Sequence, residues 1–250
     1  MKKILAISNS FGVDANRYLY GIARSAGEKV MVTTLFVGGC SLYRHFRNMH
    51  SEEKAYALYS NGLDTGFRVS LKEALLSAEW DVVTYQQVSD QSGIPESYQP
   101  FLSELDAYVK KLAPHAKRYI HAIWAWSDAA IVRKKSEVLQ FKTSAEMFAA
   151  DHVAYKLAAE DISADGFIPA TAAMEKLYAA IGDNAYRDGS HANFGSARYM
   201  LGLVWYMTLF AKDNIDDVNY SDFDVPVSDE EKAIAERCAI EAVRENTYKK

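Results

Sequence analysis

Apolar runs of strand length alternate along this chain with stretches of helical periodicity. The strand-like runs are residues 3–8, 30–36 (Val30-Met31-Val32-Thr33-Thr34-Leu35-Phe36), 81–86 and 118–124, with a short fifth at Gly166-Phe167-Ile168-Pro169. Between and after them the periodicity predicts helices at about 13–26, 68–78, 98–112, 144–161, 171–181, 193–211 and 229–246. Strands rich in Val and Ile, separated by helices of about ten residues or more, argue for right-handed crossovers and a parallel sheet. The expected fold is therefore α/β, a three-layer α/β/α sandwich on a parallel sheet of about five strands with a flavodoxin-like order. No internal repeat or linker interrupts residues 1–250, which read as one domain. An acidic loop at 213–228 precedes the last helix, and Ser228 with Glu231 forms a capping-box signature for it. From about residue 213 the chain is expected to be a helical extension packed on the sandwich.

Composition narrows the function by exclusion. The 28 basic residues against 33 acidic ones give a net charge of −5, and no long basic run exists, so nucleic acid is not an expected partner. No stretch approaches the ~18 consecutive apolar residues of a membrane span. Met1-Lys2-Lys3 resembles the start of a leader, but Asn9, Asp14 and Arg17 interrupt the apolar run that follows. The expected location is cytoplasmic, or periplasmic or exported if a leader has been removed. Cys40 and Cys238 supply neither a disulfide framework nor metal-ligand spacing, and His45 and His50 lack the i,i+4 arrangement. No metal and no cofactor are expected.

In a doubly wound sheet, ligands bind at the carboxyl ends of the strands. Ser10, Gly38-Gly39 and Gln86-Gln87 each lie just past such an end. A serine on a strand-to-helix turn is most often a helix cap. It can also act as a nucleophile whose helix offers backbone N–H groups to a developing oxyanion. Gly39, free of a side chain, suits the close approach of an N–H to a substrate carbonyl. The segment Gln86-Gln87-Val88-Ser89-Asp90 is either a solvated loop or the source of a further oxyanion donor. Downstream, Asp188-Gly189-Ser190-His191 places a carboxylate and an imidazole three residues apart, where Asp188 can orient His191 as the base for Ser10. Tyr85, Trp124 and Trp126 are core aromatics or, less commonly, rings that stack on a sugar.

Taken in order, these segments resemble the SGNH (GDSL-like) hydrolase superfamily, and more narrowly the bacterial DUF4886 family. Ser8-Asn9-Ser10 matches the first block, Gly39 the second and Asp188-x-x-His191 the last. The narrower likeness lies in Asn-Ser-Phe, Gly-Gly-Cys-Ser-Leu, Asp-Val-Val-Thr-Tyr-Gln-Gln and Trp-Ala-Trp. The resemblance implies an ester hydrolase with Ser10 as nucleophile, His191 as base and Asp188 as its orienting acid. It implies an oxyanion hole from Gly39 and either Gln87 or Ser89, with Asn9, Trp124 and Trp126 against a small-molecule or carbohydrate ester such as an acetyl ester. Ser8 replaces the usual glycine of the first block, and the third block, Gly-x-Asn-Asp, is missing. A non-catalytic or weakly active carbohydrate-binding protein, or an acyltransferase, shares the same pattern.

Overall fold

The computed structural model describes residues 1–134 and 140–246. Five strands form the parallel part of the sheet: β1 (Lys2–Ser8), β2 (Val30–Phe36), β5 (Val82–Tyr85), β6 (Lys117–His121) and β7 (Gly166–Ile168). Two more, β3 (Tyr56–Ser60) and β4 (Leu63–Val69), extend it as an antiparallel hairpin beside β2. The sheet thus has seven strands rather than five, in the order β4-β3-β2-β1-β5-β6-β7. Within the parallel part the second, first, third, fourth and fifth strands lie side by side, which is the flavodoxin-like arrangement. Ile4, Leu5, Ala6 and Ile7 of β1 are all buried, because helices cover both faces of this central strand.

Around the sheet run α1 (Ser10–Asn16), α2 (Leu19–Ser25), α3 (Leu42–Ser51), α4 (Leu71–Leu76), α5 (Phe101–Leu112), α6 (Asp128–Lys134), α7 (Ser144–Asp161), α8 (Ala170–Ile181), α9 (Ser196–Phe210) and α10 (Asp229–Glu245). Helices α1 and α2 pack with α9, and α3 and α4 pack with α5. Helix α9 is apolar on nearly every side and buried to match, from Ala197 to Leu209. Helix α10 buries Ala235, Cys238, Ala239 and Ala242 against α8 and α9. No helix among the described residues is long and apolar enough to cross a membrane.

Three departures from the sequence reading have local causes. The helix expected at 13–26 starts earlier, at Ser10, and breaks at Arg17–Tyr18 into α1 and α2. The helix expected at 68–78 shrinks to 71–76, because Arg68 and Val69 pair with β3 and Ser70 caps α4. The hairpin itself turns at Asn61-Gly62, both at positive φ (51° and 85°), the backbone that a tight two-residue hairpin requires.

Candidate active site

The first turn of α1 is built around Asn9. Its backbone is extended, and its Oδ1 accepts from Phe11 N at 3.1 Å, so Asn9 is the N-cap and Ser10 the first helical residue. Helix α1 sits unusually low on the sheet at Gly12. A Cβ there would lie 2.4 Å from Ser8 Oγ and 2.9 Å from Gln86 Oε1, so only glycine permits the approach.

Below the turn runs a buried thread of side-chain hydrogen bonds. His121 Nδ1 lies 2.9 Å from Gln86 Oε1, Gln86 Nε2 donates to Asn9 Oδ1 at 2.7 Å, and Asn9 Nδ2 donates to Cys40 O at 3.1 Å. Burial pushes the His121 pKa down to about 3, so the ring is neutral and donates from Nδ1. The thread joins the exits of β6, β5, β1 and β2. It brings the Gly38–Cys40 turn next to the first turn of α1. In that turn Gly39 adopts φ +58° and is exposed, with open space where a side chain would be. The neighbouring Cys40 is buried and its thiol is pushed up to about 12, which removes it as a competing nucleophile.

Across from Ser10, Tyr186 and Ala192 pair to form a small loop closed by Arg187 N donating to His191 O. Gly189 lets this loop turn at φ +88° and pass α6, where a Cβ would lie 2.7 Å from that of Ala130. The outcome is a line of three side chains. Ser10 Oγ is 2.8 Å from His191 Nε2, and His191 Nδ1 is 2.7 Å from Asp188 Oδ2. The other oxygen of Asp188 accepts from His191 N at 2.8 Å and from Ser190 N and Oγ at 3.0 Å. Burial pulls the Asp188 carboxyl upward. The two backbone N–H groups and the imidazole outweigh that and hold it well below the usual carboxylate range. Such a line can move a proton from the hydroxyl to the ring while the carboxylate holds the tautomer.

The loop is fastened to α1 by charge. Asp14 lies one turn beyond Ser10 on α1, with its side chain 1% exposed. It accepts from Arg187 Nη1 at 2.8 and 2.9 Å and from Arg198 at 2.7 and 3.0 Å. Arg187 also donates to Ala192 O at 2.7 Å, and Phe11 packs on the His191 ring at 5.3 Å. Asp14, Arg187, Arg198 and His121 were not among the expected site residues, and Gln86, expected only within a segment that could supply an oxyanion donor, instead supports Asn9. An acidic side chain at i+4 from Ser10, on the buried side of a short helix, is the one local signal that could have indicated Asp14.

Five expected site residues, Gln87, Asn9, Trp124, Trp126 and Ser89, face elsewhere. Gln87 is fully buried: its Oε1 accepts from Leu42 N and Val88 N at 2.9 Å, and its Nε2 donates to Ser97 O and Oγ at 3.0 Å. With both ends of the amide engaged, it ties α3 to the loop after β5 rather than facing a substrate oxygen. Asn9 is buried within the thread, which takes both ends of its amide, so it supports the turn instead of contacting substrate. Trp124 lies in the core, packs on Phe11 at 4.6 Å and donates to Ser190 O at 2.9 Å. Trp126 is also buried, and Tyr85 with it, so these rings form no exposed sugar shelf. Ser89 is buried as well, its carbonyl accepting from Ser92 Oγ at 2.9 Å. Among the described residues no cluster of His, Cys, Asp and Glu is disposed to hold a metal.

This architecture is shared with GDSL-like hydrolases. A GDSL-like lipase candidate from Parabacteroides merdae ATCC 43184 superposes with a TM-score of 0.56 at 14% identity, over 84% of this chain and 95% of its own. A carbohydrate esterase family 3 structure from Talaromyces cellulolyticus gives 0.56 at 12% identity, over 88% of this chain and 100% of its own. At these identities the likeness is one of fold. A much nearer structure is a DUF4886 family protein from Bacteroides uniformis ATCC 8492, with a TM-score of 0.86, 27% identity, and coverage of 97% of this chain and 95% of that one. The family model for the domain of unknown function DUF4886 matches residues 3–242, and the chain belongs to that family. A comparison with curated proteins finds no match.

Proposed function

We propose that this chain is a serine ester hydrolase of the SGNH type, acting through an acyl-enzyme on small acyl esters, acetyl esters of a carbohydrate among them. The observation that carries the reading is the unbroken line Ser10 Oγ–His191 Nε2 and His191 Nδ1–Asp188 Oδ2, at 2.8 and 2.7 Å, at the carboxyl end of β1. As Ser10 Oγ attacks the ester carbonyl, His191 takes its proton at Nε2. Asp188, kept ionised, holds Nδ1–H and stabilises the imidazolium. The N–H groups of Ser10 and Gly39 meet the oxyanion. On collapse, His191 returns the proton to the leaving alcohol. Water then repeats the sequence to release the acid.

Because Gln87 is engaged elsewhere, the oxyanion is held by these backbone donors without an amide side chain from the loop after β5. Loss of one donor typically costs about 10²–10³ in rate, so modest turnover is expected. The sugar part of the reading is supported by the fold likeness to the carbohydrate esterase alone, since the tryptophans are buried. Labelling by a fluorophosphonate at neutral pH, beside a screen of short aryl esters and acetylated sugars, tests the proposal. Wild-type protein should label at Ser10 and turn over at least one ester, and Ser10→Ala should do neither. Failure of the folded wild-type protein to label would overturn the reading.

A further inference from the structure

A cleft of about 850 Å³ runs along one face of α3 to the β3–β4 hairpin. Arg44, Arg47, Lys54 and Arg68 line it, opposed by the carboxylate of Glu53. Lys54 is paired with Glu73 at 2.8 Å. Among the described residues, the three arginines form no ion pair with any carboxylate. Arg44 donates to Gly38 O at 3.4 Å and Arg68 to Ala55 O at 3.0 Å, which leaves most of their N–H groups open to the cleft.

Helix stability does not account for these residues. Arg44 stands in the first turn of α3, after the N-cap Ser41, and that turn contains no acidic residue. A cation there opposes the positive end of the helix dipole. Arg47 repeats the charge one turn on, and like charges at that spacing repel. In a chain of net charge −5, three guanidiniums gathered without partners point to an anion supplied from outside. The size suits a ligand of several rings or groups rather than a single ion.

The cleft also begins at the right place. Ser41 lines its near end and is two residues from Gly39, so their Cα atoms lie within about 7 Å. Arg44 reaches back to the carbonyl just before Gly39. A substrate whose ester carbonyl met Ser10 could extend along α3 and set its charged portion among the arginines.

We infer that the α3 cleft is an anion subsite that selects ester substrates carrying carboxylate, sulfate or phosphate groups beyond the scissile bond. That the bound molecule is a substrate rests on the hydrolase reading; that the cleft binds anions does not. The test begins with binding to Ser10→Ala protein, measured by calorimetry. The probes are inorganic sulfate, a uronic-acid trisaccharide and a neutral trisaccharide of equal length. The acidic trisaccharide should bind about tenfold or more tightly than the neutral one, the equivalent of one charged contact. It should weaken as ionic strength rises from about 0.05 to about 0.3 M. Arg47→Ala/Arg68→Ala, both at exposed positions, should lose about tenfold in that affinity, with folding checked by thermal unfolding. Sulfate binding without uronate binding would support the site and restrict it to tetrahedral anions. Equal binding of acidic and neutral sugars, absence of binding by all three probes, or affinity unchanged in the double variant would overturn it. In wild-type protein, an anionic aryl ester should exceed its neutral analogue in kcat/KM. Anion binding without any turnover dependent on Ser10 would sink the hydrolase reading and leave the subsite. Turnover with no preference for charge would do the reverse.

Discussion

Asp14→Asn removes one charge and changes almost nothing in shape, yet it should damage both stability and turnover. The carboxylate it replaces is 1% exposed and accepts four hydrogen bonds from two guanidiniums. Breaking a buried ion pair from one side costs about 3–5 kcal/mol, because the surviving charge is left uncompensated. Here the lower end applies. Arg187 is 24% exposed, and Arg198 keeps Asp224 at 3.0 Å. A loss of about 3 kcal/mol should lower Tm by about 6–12 °C in a chain of this length. The effect on catalysis has a separate origin. Arg187 precedes Asp188 and binds Ala192 O, so it holds both ends of the loop that presents His191. Displacing that imidazole by about 1 Å is expected to reduce kcat by about 10²-fold, with a smaller change in KM. Differential scanning fluorimetry and the rate of fluorophosphonate labelling read the two effects independently. A lowered Tm with a labelling rate close to wild type would show that the ion cluster stabilises the fold without aligning the loop. An unchanged Tm would refute the whole argument.

Gln87→Ala should lower Tm, because Leu42 N and Ser97 lose their partners, but keep kcat within a few-fold; a fall of about 10²–10³ would return Gln87 to the oxyanion hole. Gly12→Ala forces a Cβ to 2.4 Å from Ser8 Oγ, so about 1–3 kcal/mol of stability and much of the activity should go together in unfolding and turnover assays. The folded-state pKa of Asp188 is depressed, so its stabilising contribution is present above the unfolded value near 3.9 and is lost only as pH falls below it. Protonation of Asp188 should therefore remove no turnover above about pH 5; a two-proton slope on the acid side of that range would refute this. Asp188→Asn should be milder than His191→Ala in kcat, since the carboxylate orients the base rather than moving the proton.

The parallel sheet was legible because its central strands β1 and β5 are buried on both faces and read as largely apolar runs, and each parallel strand was placed within a few residues of its observed ends. The β3–β4 hairpin was not, since β4 is mostly solvent-exposed and mixes Asp64, Gly66 and Arg68 among its apolar residues. Its one clear mark is Asn61-Gly62, the preferred pair for a two-residue hairpin turn. Helix α3 was hidden by its composition: its buried face includes His45 and Asn48 as well as Leu42 and Met49. At the site, the order of segments placed Ser10, Asp188 and His191 in one region, and the structure brings their side chains into contact. What the order could not convey is which way adjacent side chains point. Gln86 and Gln87 are neighbours and both buried, yet one underpins Asn9 and the other caps α3. The Asp14–Arg187 pair spans 173 residues, and only its Asp14 end leaves a local mark, four residues after Ser10.

The thread beneath the nucleophile has a direction. His121 is neutral and donates, Gln86 receives at one end of its amide and donates from the other, Asn9 repeats the pattern, and Cys40 O terminates the run. Every amide orientation is therefore dictated by the one before it, and the dipoles align as they do along a helix. Such a row is hard to edit one member at a time. Gln86→Glu would set an acceptor against Asn9 Oδ1, and His121→Asp would set one against Gln86 Oε1. Change along this row has to be concerted: the backbone groups at its end, Cys40 O and Phe11 N, fix the direction, so paired replacements must keep the polarity or substitute apolar groups throughout. The floor of the site is thus far less free to vary than the outer face of α3, whose arginines face the solvent.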